Sequence, residues 1–153
     1  MLAFARPPIV NGPKSGRQPS YISSNSSSDK PYELAIIKRF DFESKLQRMS
    51  VIVKNKLDGT FRAYVKGSPE KIADLCDKST LPADFDKILE TYTQEGYRVI
   101  ALAVRFLDQM NYLTIQSTKR DKVETDLKFL GFLVMENKLK PVTKEIIKTL
   151  NDC

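Results

Sequence analysis

The stretch from Arg48 to Cys76, RMSVIVKNKLDGTFRAYVKGSPEKIADLC, constrains the fold more than any other part of the chain. Two runs rich in β-branched and aromatic residues, RMSVIVKN and TFRAYVK, flank Lys56-Leu57-Asp58-Gly59, and Asp-Gly supplies the positive-φ chemistry of a hairpin turn. An antiparallel pair is predicted. The second run ends on Lys66-Gly67, and helix-start signals follow at once. Ser68 suits an N-cap and Pro69 the first helical position, while the charge of Glu70 favours the positive end of the helix. That helix is expected to bury Ile72, Leu75 and Cys76.

The rest of the chain extends this pattern. YELAIIKRFDF (Tyr32 to Phe42) has the β-branched and aromatic content of a strand. A second helix is predicted from about Ala83 to Glu95, with Phe85, Ile88, Leu89 and Tyr92 at spacings of three and four and Gly96 at the C-cap position. YRVIALAVRFL reads as a buried strand, and 108–125 is poorly patterned. LKFLGFLVM reads as another core strand, and PVTKEIIKTLND as a helix beginning at Pro141. Strands and helices mix without regular βαβ alternation. The predicted class is therefore α+β, a twisted antiparallel sheet with flanking helices and no internal repeat. Residues 1–31, crowded with Ser, Pro, Gly and Asn and lacking either hydrophobic period, read as a flexible tail or linker, so folding is expected to start near Tyr32.

Composition narrows the function. At 153 residues, 41% hydrophobic and 29% charged, the chain suits one globular domain plus a tail. The formal charge of +6 is divided: 1–31 carry four basic residues against one acidic, leaving 21 of the 25 basic and 18 of the 19 acidic residues for the folded part. So balanced a domain lacks a basic stripe, and no nucleic-acid partner is expected. With no histidine and only Cys76 and Cys153, His-based acid–base catalysis, Cys/His pairs and mixed Cys/His zinc sites drop out, and both thiols are expected free in a reducing compartment. MLAFARPP lacks the apolar core of a signal peptide, and VIALAV is far short of a bilayer span.

Neither a G-x-x-x-x-G-K-[ST] loop nor a G-x-G-x-x-G loop occurs, so a nucleotide, if bound, must be held by side chains. Lys66-Gly67 reads two ways. It can be an ordinary strand end, or Gly67 can clear space for a ligand against the backbone while Lys66 presents an ammonium to a base or phosphate. Phe42, flanked by Asp41, Glu43 and Ser44, can be core or can sit at a sheet rim where its ring would stack on a planar base. Asp77-Lys78-Ser79-Thr80 resembles a phosphorylatable aspartate only superficially and reads as a solvated helix terminus. The remaining carboxylates, spread singly, read as a solvated face.

Four segments in register carry a resemblance: FDFESKLQRMSV (Phe40 to Val51), YVKGSPEKIADLC (Tyr64 to Cys76), GYRVIALA (Gly96 to Ala103) and GFLVMENKLKPVT (Gly131 to Thr143). In order and spacing they are similar to the nucleotide-binding domain of P-type ATPases. The LQRMSV and ENKLK spellings look most like the type V subgroup and its endolysosomal branch, associated with polyamine export. The resemblance covers about Tyr32 to Asp152. It implies 32–134 as the nucleotide-binding domain, possibly incomplete at its start, and 135–153 as a hinge and the beginning of a phosphorylation domain. It implies ATP, with Mg2+ accompanying it, as the ligand. By position Phe42 matches the aromatic that stacks on adenine, Lys66 and Gly67 the pair lining that pocket, and Arg98 the arginine that reaches toward the phosphates. Gln47 falls where the family has a second pocket lysine, so one positive charge is absent. Asn137 and Lys140 fall on the hinge.

As partners the resemblance implies the phosphorylation, actuator and membrane domains of a parent pump, on the cytosolic face of an endosomal or lysosomal membrane. The phosphorylatable aspartate of the D-K-T-G-T motif is absent here, so the chain is expected to bind ATP without hydrolysing it alone. The alternatives are a truncated, non-catalytic interaction protein that keeps the fold without useful ATP affinity, to which Gln47 points, and a basic nucleic-acid-binding domain.

Overall fold

A computed structural model describes residues 21–24, 32–136 and 140–152. Six strands, β1 (Tyr21–Ser24), β2 (Tyr32–Glu43), β3 (Arg48–Asn55), β4 (Phe61–Gly67), β5 (Arg98–Phe106) and β6 (Lys128–Met135), form one sheet whose spatial order follows the chain, every neighbour antiparallel. The antiparallel α+β class is as predicted. The sheet also takes in Tyr21–Ser24, a segment of the stretch read as tail, which pairs with Tyr32–Ala35 of β2. A four-residue edge strand needs only backbone hydrogen bonds, which leave no hydrophobic period to read. The rest of that stretch, with Asn137 and Cys153, lies outside the described residues.

The helices are α1 (Pro69–Leu75), α2 (Phe85–Gln94), α3 (Tyr112–Ser117) and α4 (Thr143–Asn151). Ser68 caps α1 as expected, its hydroxyl accepting the Lys71 amide at 3.4 Å. α1 and α2 lie between β4 and β5 in sequence and pack on one face of the sheet. There Val65, Ala101 and Ala103 meet Ile72, Cys76 and Leu127 in one apolar cluster, with Phe129 and Phe132 at its edge. Ile72, fully buried, contributes about 2 kcal/mol through that burial. A second cluster joins Ile52, Phe61 and Ala63 to Leu107, Ile115 and Val123. Ile115 and Val123 come from the poorly patterned stretch, whose α3 is too short for a hydrophobic period but is capped by the Asn111 side chain on the Thr114 amide at 2.9 Å.

Two expectations need correction. β6 is not a core strand: none of its residues is buried, and Leu130 and Leu133 are 55% and 41% exposed. It pairs with β5 alone and presents only Phe129 and Phe132 to the apolar cluster, so its continuous apolar run reflects one packed face and one open one. The last helix begins at Thr143 rather than Pro141, with Val142 as its N-cap residue. Leu75 is only half-buried, whereas Ile72 and Cys76 are buried as expected.

Candidate functional site

Strand alternation decides which side chains share a face. Ala63 and Val65 point into the helix-covered core, so Tyr64 and Lys66 point the opposite way. The register pairs Lys66 with Met49 on β3 and with Leu102 on β5. At the end of the sheet where β2 and β4 finish and β3 and β5 begin, a cleft of about 310 Å³ opens beside them. Its lining brings together Phe42, Gln47, Lys66, Gly67 and Arg98, the five residues singled out in the sequence. Met49, Ser68, Val99 and Ile100 complete it. A smaller apolar groove of about 160 Å³, floored by Val51, Tyr64, Leu102 and Leu130, shares Met49 and Lys66 with the cleft.

The chemistry on offer is simple. Phe42 is 61% exposed, a large apolar residue at the rim, and an aromatic ring so placed gains most by stacking on a planar ligand. Lys66 and Arg98 are exposed cations, and among the described residues no carboxylate lines the cleft, so the local field favours an anion. Among the described residues no group of three or more His, Cys, Asp or Glu side chains could hold a metal ion.

Local folding explains how these side chains meet. The turn from β2 to β3 closes on the Glu43 carbonyl, which accepts the amides of Leu46 at 3.0 Å and Gln47 at 2.8 Å. Gln47 takes φ +52, a left-handed conformation rare outside glycine, which turns its carbonyl onto the Ser68 amide at 3.0 Å. The Ser68 hydroxyl also donates to Gln47 Oε1 at 3.4 Å. The α1 cap is thus tied twice to the residue where the resemblance placed a lysine. Gly67 has a reason internal to the protein: a Cβ there would come within 2.5 Å of the Gln47 carbonyl oxygen and 2.7 Å of Arg48 Cβ. The close approach that demands glycine is made by the chain's own turn.

Asp77 lies at an exposed helix terminus, as expected, and there it caps the short turn Lys78–Thr80. Its side chain accepts the Ser79 amide at 2.9 Å, and that bond holds its carboxyl below the ordinary value. Burial pushes the Cys76 thiol up to about 11.

One carboxylate overturns the reading of a uniformly solvated acidic face. Glu124 is completely buried, bonded to Arg48 Nε at 2.5 Å and to the Ser50 hydroxyl at 2.7 Å, with Arg120 Nε at 3.7 Å. Arg48 and Ser50 pair with Gly67 and Val65, so this network lies on the helix-covered side, directly behind the cleft. Sequence spacing could not reveal it, because more than 70 residues separate Glu124 from Arg48 and Ser50. Met49 was also missed, and only the β3–β4 register places it beside Lys66.

Residues 20–142 match the family P-type ATPase, cytoplasmic domain N. Over 95% of its length the chain is 43% identical to the vacuolar cation-transporting ATPase YPK9 of Saccharomyces cerevisiae. It is also 43% identical over 78% of its length to the polyamine-transporting ATPase 13A3 of Mus musculus, and 42% identical over 98% to the polyamine-transporting ATPase 13A2 of Homo sapiens. The chain spans 10% of the length of the first two relatives and 12% of the third.

Proposed function

Because the chain belongs to the P-type ATPase cytoplasmic domain N family, we propose that its cleft binds ATP as the nucleotide-binding module of a cation- or polyamine-transporting ATPase. The observation that carries this reading is the convergence of Phe42, the Lys66-Gly67 pair and Arg98, three stretches far apart in sequence, on one cleft with two cations and an exposed aromatic residue. Phe42 stacks on adenine, Lys66 contacts the base side of the ligand, and Arg98 donates charge-assisted hydrogen bonds to the phosphates. Gln47 supplies an amide in place of a second cation. Among the described residues the lining holds no carboxylate for a metal ion, and Mg2+ comes on the phosphates, where it neutralises charge for transfer.

The acceptor is an aspartate of the parent pump's phosphorylation domain, and the module's part is to orient and deliver the nucleotide. The module takes in β1 together with residues 32–134, and 135–153 lead through the hinge, with Asn137 and Lys140, into the phosphorylation domain. Actuator and membrane domains are the remaining partners. The vacuolar and polyamine-transporting relatives support a parent protein with this module on the cytosolic face of an endosomal or lysosomal membrane. Among the described residues no helix is long and apolar enough to cross a membrane.

The test is an NMR titration of the chain with MgATP beside Phe42→Ala and Lys66→Ala. Saturable shifts at Phe42, Lys66, Gly67 and Arg98 are expected, with binding weakened about tenfold by loss of the ring. A dispersed spectrum indifferent to MgATP would instead favour an interaction protein that has kept the fold.

A further inference from the structure

We propose that Arg120 and Glu124 are positioning residues for this site: from the far side of the sheet they hold the Asp41–Arg48 turn in the shape that presents Phe42 and Gln47 to the ligand. The inference rests on the nucleotide reading above. Phe42 is mostly exposed, so its own packing does little to fix it. Its neighbours are held instead. Arg120 Nη2 donates to the Asp41 carbonyl, Arg120 Nη1 lies 3.7 Å from the Glu43 carboxylate, and the guanidinium sits 5.7 Å from the centre of the Phe40 ring. One arginine therefore grips the residue on each side of Phe42. At the other end of the turn, Glu124 holds Arg48, the residue after Gln47, and Ser50 beyond it.

The grip matters because the turn's other ties leave Phe42 and its neighbours unheld: the Leu46 and Gln47 amides bond to Glu43, Glu43 pairs with Arg48, and Ser68 holds Gln47, all at or beyond Glu43. Gln47 also sits in a conformation that an unrestrained chain leaves readily. A site whose competent shape is populated only part of the time binds more weakly by that fraction. Loosening the turn to one-tenth occupancy gives about tenfold weaker binding with every ligand contact intact. Neither Arg120 nor Glu124 lines the cleft, so neither touches the ligand.

The experiment measures MgATP affinity and amide hydrogen exchange at Leu46 and Gln47 in the full chain carrying Arg120→Met, Glu124→Gln or Glu43→Gln. Val123→Ala, an apolar truncation in the same segment, serves as control, compared at equal loss of melting temperature. Arg120→Met and Glu124→Gln are expected to weaken MgATP about tenfold and speed exchange at both amides, with Glu43→Gln smaller in the same direction, while Val123→Ala does neither. Equal weakening by Val123→Ala would overturn the proposal, since the network would then supply only global stability. Wild-type affinity and exchange in the three variants would also overturn it. Glu43 is half exposed, so Glu43→Gln decides the matter if a buried variant fails to fold. A wild-type chain without saturable MgATP shifts would overturn the nucleotide reading, whereas the exchange rates report the grip on the turn independently.

Discussion

The β2–β3–β4 meander has a turn at each end, and the two are built in opposite ways. The Asn55–Thr60 turn is held mainly by its own residues, with Glu33 on β2 accepting the Lys56 amide at 3.0 Å and pairing with its ammonium at 2.7 Å. Asn55 Oδ1 accepts the Leu57 amide, the Asn55 carbonyl accepts the Gly59 amide, and Asp58 Oδ1 accepts both the amide and the hydroxyl of Thr60. The Glu43–Arg48 turn depends on Ser68, Arg120 and Glu124, partners 20 to 80 residues away. A local turn forms wherever its sequence goes, whereas a remotely held turn takes its shape only in the finished fold. The turn that lines the cleft is the second kind, so the site's geometry is a property of the whole domain.

The sharpest way to break this contrast is to remove one anchor from each turn. Glu124→Ala leaves Arg48, only 12% exposed in its side chain, without its carboxylate, and is expected to cost about 4 kcal/mol in urea denaturation. Asn55→Ala removes two local hydrogen bonds and is expected to cost about 1–2 kcal/mol. Comparable losses would mean that the site turn is no more dependent on remote partners than the other.

The same contrast explains what the sequence disclosed. Asp58-Gly59, the Ser68-Pro69-Glu70 helix start and the period of α2 depend on neighbours in the chain, and each is legible as a motif. Lys66-Gly67 was legible as an anomaly, since a strand that ends on glycine before a capped helix asks for a reason. That reason, the Gln47 carbonyl and Arg48 against Gly67, comes from another strand and was not legible. Glu124 is the extreme case. Its surroundings in sequence, KVETD, look solvated, and only the packing of Val123 and Leu127 into the core draws the carboxylate inward to meet Arg48. β6 shows the converse error, because an apolar run reports hydrophobicity but not whether a second layer covers it.

Each turn also owns a glycine, and the two test the contrast on a smaller scale. Gly67→Ala meets backbone and a fixed Cβ at 2.5–2.7 Å, so the remote turn itself must shift, with an expected loss of about 3 kcal/mol and weaker MgATP binding. Gly59→Ala meets nothing within 4 Å and is opposed only by its φ of +71, an expected loss of about 1 kcal/mol with MgATP binding unchanged. Equal losses, or an effect of Gly59→Ala on MgATP, would show that the two ends are coupled rather than separately built.

The smallest effect belongs to pH. Hydrogen bonds from the Thr60 hydroxyl and amide, aided by Arg62 and Asn55, hold the Asp58 carboxyl below its ordinary value of 3.8. A carboxyl depressed on folding stabilises the native state above its unfolded pKa, and that contribution fades as pH falls from about 3.8 through the lowered value. Asp58→Asn is therefore expected to flatten the acid side of the stability profile in that window while leaving the neutral-pH shifts of Phe42 and Lys66 in place. If the substitution moved those shifts as well, the local turn would be transmitting its state along β3 and β4, and the independence of the two ends would fail where it is easiest to see.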